Sequence, residues 1–154
     1  MRRLVKKSHA IVLLVGVICF SVAAAQAPDA SEGVVKYRQS VMKSHAAHMS
    51  AMGRIVQGQV PFTEHVADHA AAIRSTSKMI PQIFPEGSGT GETRAKPDIW
   101  QKRSQFEQAA LTLQQESAKL VEVAQGGDMK EITAQYLAVA KACKGCHKPF
   151  RKRK

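Results

Sequence analysis

Aromatic side chains make up only 5% of the 154 residues, acidic residues number 12 against 23 Lys and Arg, and there are just 3 cysteines. So few aromatics disfavour a β-sandwich, and three thiols are too few for a disulfide framework. Strands of alternating β-branched residues are missing as well. With 44% hydrophobic residues the chain is nonetheless too apolar for a disordered polycation. What remains is one helical domain.

The N-terminus accounts for part of the basic excess. Arg2, Arg3, Lys6 and Lys7 precede an apolar run, Ala10–Phe20, and Ala23-Ala24-Ala25 supplies small residues before Gln26. This pattern predicts a cleaved signal peptide over residues 1–25 and an exported, periplasmic product. The apolar run falls short of the ~20 residues a membrane span requires. Cleavage leaves residues 26–154 as the domain and removes four basic and no acidic residues, so the formal charge falls from +11 to +7. Two cysteines survive, Cys143 and Cys146.

Three breaks divide the remaining chain: Gly58–Pro61, the Gly/Pro-rich stretch Pro81–Pro97, and Gly126-Gly127. Helices are expected at about 32–57, 63–80, 98–125 and 128–148, with Ser31, Thr63, Asp98 and Asp128 as N-terminal capping or first-turn residues. Their apolar positions recur in steps of three and four. Phe62, Val66, Ala70, Ile73 and Ile80 form one seam; Ile99, Arg103, Phe106, Ala110, Leu113, Ser117, Leu120 and Ala124 form another. Such seams predict an all-α, antiparallel up-down-up-down four-helix bundle. The first helix departs from the pattern. Its seam, Val35, Arg38, Met42, His45, Met49, Met52 and Val56, carries an arginine and a histidine where a bundle wants apolar groups. Buried polar groups cost free energy unless partnered, so either these two lie at solvated edges or a polar partner occupies the core.

Cys143-Lys144-Gly145-Cys146-His147 is a C-x-x-C-H sequence, the attachment pattern of c-type haem. Two thiols three positions apart match the two vinyl groups of one porphyrin, and the adjacent imidazole reaches the iron. A thioredoxin-like pair would need a βαβ setting, and structural zinc would need further ligands. His45, His48, His65 and His69 are the candidates for zinc or copper ligation, although the i,i+4 pair His65/His69 reads more simply as a solvated face. In an up-down-up-down bundle the start of the first helix lies level with the end of the last. Arg38, Met42 and His45 therefore fall at haem height.

Three separated motifs, Tyr37-Arg38-Gln39-Ser40-Val41-Met42, Lys96-Pro97-Asp98-Ile99-Trp100, and the C-terminal CKGCH with Phe150-Arg151, resemble class II cytochromes c, the cytochrome c-prime group. The resemblance implies one haem c on thioethers at Cys143 and Cys146, with His147 as axial iron ligand. It implies propionate contacts from Arg38 and Gln39, and from Glu92 and Thr93 in the Gly91–Thr93 segment. Met42 matches the distal position, where family members either ligate the iron through methionine or leave it open to NO or CO. Arg151 matches an arginine near the imidazole, but Pro149 is expected to end or kink the last helix before it. Expected functions are therefore electron transfer by Fe(II)/Fe(III) cycling or, alternatively, binding of NO or CO. No enzymatic activity is expected. The basic residues around the attachment suit an acidic redox partner, a second copy in a homodimer is a candidate partner, and neither nucleic acid nor, after cleavage, a membrane is expected.

Overall fold

The computed structural model describes residues 30–153; the expected signal peptide lies outside them. Five helices run in the order α1 (Ala30–Val56), α2 (His65–Ser77), α3 (Asp98–Gln101), α4 (Arg103–Gly126) and α5 (Met129–Phe150). The four long ones form the bundle. α2 packs on α4, α4 on α5, and α1 on α2 and α5, with the α1–α5 contact the lightest. Among the described residues there is no strand, and no helix is long and apolar enough to cross a membrane.

The seams face inward. Met52, Val66, Ile73, Ile99, Phe106, Leu120, Ile132 and Val139 are almost fully buried. Phe84, Phe106 and Phe150 stack edge to face, with centroids 5.0 and 5.3 Å apart, and close the end of the core nearest the cysteines. Phe62 does not join the second seam. It precedes α2 and is exposed, because the chain turns at Thr63 and enters the helix only at His65.

Helix ends differ from expectation in three places. α2 stops at Ser77, and Ile80 is buried from the turn that follows. The expected 98–125 helix is two pieces: Lys102 leaves helical geometry at φ −121° and ψ 47°. The one-turn α3 before it buries Ile99 and directs the Trp100 indole N–H to the Pro85 carbonyl at 2.9 Å. α5 runs through Pro149 to Phe150 instead of stopping at 148. Pro149 sits in the last turn, so it removes only the donor to the Gly145 carbonyl, at an exposed residue that water reaches. The Arg151 N–H still bonds the His147 carbonyl at 3.0 Å. Asp128 caps α5 as expected, accepting from the N–H groups of Lys130 and Glu131, and Gly127 closes α4 at φ 76°.

The long α2–α3 connection is pinned rather than loose. Arg103 donates to the carbonyls of Phe84 and Pro81 at 2.9 and 2.6 Å, which explains an arginine on the α4 seam. At its far end, residues 94–96 pair antiparallel with residues 150–152. The Lys96 N–H bonds the Phe150 carbonyl and the Lys152 N–H bonds that of Arg94.

Candidate haem site

Between the start of α1 and the end of α5 lies a cavity of about 430 Å3, within the range of ligand sites. Its walls are mostly apolar, with Ile80, Phe84, Ile99, Phe106, Leu113 and Phe150 behind. On the α5 wall stand Cys143, Cys146 and His147; on the α1 wall stand Arg38, Gln39, Met42 and His45. Thr93 completes the lip. Of the residues that the sequence placed at the haem, all but Glu92 are thus brought to one cavity. Glu92 is not on its wall and meets Gln39 only through its backbone carbonyl, 2.8 Å from Nε2.

Helical spacing explains the α5 wall. Cys143 and Cys146 are one turn apart and continue the buried line of Ile132 and Val139, so both sulfurs face the core. The two thiols are free rather than joined. Burial pushes the Cys143 thiol up, and pushes Cys146 up to about 11 with help from its neighbour, so both stay protonated at neutral pH. Burial also lowers His147, and the cations Arg151 and Arg94 lower it further. Its ring is neutral and keeps a lone pair. Arg151 therefore acts on the imidazole despite the intervening Pro149.

Arg38 is 2% exposed, and burial lowers its pKa. It lies over the Phe84 ring, 4.8 Å from the centroid, and donates to Ser88 Oγ, the Ser88 carbonyl and Thr93 Oγ1. All three acceptors are neutral, and among the described residues no carboxylate pairs with this guanidinium. A buried cation without an anion, on the lip of an apolar cavity, fits a planar group bearing carboxylates. The residues present therefore fit a haem.

His45, 6% exposed, solves the other polar problem of the α1 seam. Its Nε2 lies 2.6 Å from Thr76 Oγ1, whose own proton goes to the Ala72 carbonyl at 2.8 Å. Nε2 is therefore the donor. Burial, then the nearby imidazoles of His48 and His147, bring its pKa down to about 4.

Ser88, Phe84 and Thr76 were not singled out in the sequence. Only the Gly/Pro density around Ser88 marked that loop as special, and nothing local marked Thr76.

The family model for cytochrome C′ matches residues 33–151. The chain belongs to the cytochrome c′ family. It is 36% identical to cytochrome c′ of Pararhodospirillum photometricum, over 78% of this chain and 97% of the relative. It is 31% identical to cytochrome c-556 of Agrobacterium tumefaciens, over 79% and 99%. Its fold resembles cytochrome c prime from Shewanella frigidimarina, with a TM-score of 0.75 and 28% identity over 80% of this chain and 97% of the other. It is equally similar to the nitric oxide complex of a cytochrome c prime variant from Alcaligenes xylosoxidans, with a TM-score of 0.74 and 31% identity over 80% and 97%. As a cytochrome c′ the chain carries one covalent haem c with its iron, and CKGCH is the matching attachment sequence.

Proposed function

We propose that this cytochrome c′ is exported to the periplasm and carries single electrons between protein partners. The observation that supports this most is the cluster of cations beside the cavity: Arg94, Lys96, Lys144, Lys148, Arg151 and Lys152 line a surface depression with His147, and Arg94, Arg151 and His147 also line the cavity. Such a surface steers an acidic partner to the edge of the site and raises its on-rate by ~10–1,000-fold at low salt.

When bound, haem supplies one-electron Fe(II)/Fe(III) chemistry. The chain's own residues hold it. In this proposal Cys143 and Cys146 give the thioether sulfurs, and neutral His147 presents its lone pair to the iron. Arg38 and Gln39 take the propionates, with Thr93 beside them. The phenylalanines behind exclude water. Electron exchange with an acidic redox protein should slow with rising ionic strength, and a Lys148→Glu/Lys152→Glu variant should slow it at low salt. A rate indifferent to both salt and charge reversal would overturn the docking role of this face.

A second reading, reversible binding of NO or CO, turns on whether Met42 leaves the iron open. Met42 lines the α1 wall of the cavity, partly exposed and held by no hydrogen bond. Structural neighbours include cytochrome c prime variants with bound NO and with carbon monoxide. Absorption spectra of the reduced protein with and without CO separate the two. A low-spin spectrum unchanged by CO sinks gas binding, whereas an immediate shift from a high-spin form sinks permanent Met42 ligation.

A further inference from the structure

Away from the cavity, one turn beyond His45, His48 on α1 meets His69 on α2. Their Nδ1 atoms are 3.0 Å apart, with ring centroids at 5.2 Å and an interplanar angle of 55°. Neither lines the haem cavity. Both are half-buried and open to solvent on one side. The contact joins like atoms of like rings, so a single proton is shared between two lone pairs. Two imidazole nitrogens bound at ~2.0–2.1 Å to one tetrahedral ion are ~3.3 Å apart. The separation of the two nitrogens is thus within a few tenths of an ångström of that in a chelate, so small turns of the two rings would aim both lone pairs at one ion.

The surroundings favour the metal-ready state. Burial lowers His69, and the imidazoles of His48 and His65 lower it further, against a smaller opposing effect of Asp68. His65 lies one turn before His69, yet its ring stacks on Phe62 at 5.2 Å and its Nε2 faces Glu64 at 3.7 Å. It is committed elsewhere.

We propose that His48 and His69 form an interhelical site for a late first-row divalent cation of the zinc and copper class, bound through both Nδ1 atoms with water filling the other positions. Binding replaces the shared proton, which moves through solvent to Nε2 of the same ring, so that both imidazoles bind as neutral Nε2–H tautomers. Such a clasp ties α1 to α2 independently of the haem and of the function proposed above.

The test is a calorimetric zinc titration of the holoprotein, in which His147 is occupied. One ion per chain is expected. His48→Gln and His69→Gln should each weaken binding at least about tenfold, as loss of one arm of a chelate requires, while His65→Ala leaves it unchanged. Zinc should raise the Tm of the parent protein and not that of either Gln variant; Gln preserves a hydrogen-bonding side chain, so both variants should fold. No heat of zinc binding up to about millimolar concentration, undiminished binding in the Gln variants, or an equal loss in His65→Ala would each overturn the assignment.

Discussion

Arg38 grips Ser88 twice: Nη1 donates to the hydroxyl at 2.8 Å and Nη2 to the carbonyl at 2.7 Å. This fixes the α2–α3 connection over the start of α1 while leaving a buried positive charge facing the haem cavity. Structure and cofactor binding thus draw on the same side chain.

Replacing Arg38 separates the two. Arg38→Ala removes charge-assisted hydrogen bonds to Ser88 and Thr93, at a cost of about 2–4 kcal/mol of stability. Arg38→Lys keeps the charge but not the fork, and should recover only part of the loss. Urea unfolding of apo and holo forms checks this. If the added stability of the holo form is the same in parent and Arg38→Ala, the propionate role fails.

The buried His45 makes stability depend on pH. Its folded pKa, about 4, lies below the ordinary value near 6.5. Between these values the unfolded chain binds more protons, so stability falls on acidification from pH 6.5 toward 4, by at most about 3 kcal/mol. His45→Gln preserves a donor for Thr76 and should flatten this slope. Urea midpoints measured from pH 7 to 4.5 compare the two proteins; parallel curves would refute the role of His45.

Gly53 lies against Tyr136. A Cβ there would sit 2.9 Å from the phenol oxygen, which donates to the Met49 carbonyl at 3.2 Å. Gly53→Ala should therefore destabilise by about 1–3 kcal/mol through overpacking and a displaced hydrogen bond. In a Tyr136→Phe background the same alanine should cost less, because the clashing oxygen is gone. A double-mutant cycle from thermal unfolding gives the coupling, and strict additivity would show that the ring moves aside freely.

Asp128 tests the other end of the bundle. Its carboxylate receives the N–H groups of Lys130 and Glu131 at 2.8 and 3.2 Å. Asp128→Ala should lower stability by about 1 kcal/mol, or a few degrees in Tm. The reduced and oxidised absorption spectra should stay unchanged.

The bundle was legible because steps of three and four survive in any helix that buries one face, as Val66, Ala70 and Ile73 do. The C-x-x-C-H sequence was legible because its chemistry is local. The oddity of Arg38 and His45 was visible too, although their partners were not: Ser88 and Thr76 lie 50 and 31 residues away, and sequence spacing carries no sign of such contacts. Pro149 misled for a physical reason. The cost of proline belongs to helix interiors, whereas in a last turn the one lost donor leaves a carbonyl that faces water. Phe62 misled because an apolar residue at the right interval fell before the helix began.

The lightness of the α1–α5 contact has a kinetic meaning. The two walls of the cavity come from stretches about a hundred residues apart in the chain, so they meet late, after more local pairings have formed. They are also held together least, while α2, α4 and α5 share the larger packed surfaces. The seam across which a rigid, flat guest fits is therefore the one that the protein's own packing closes least.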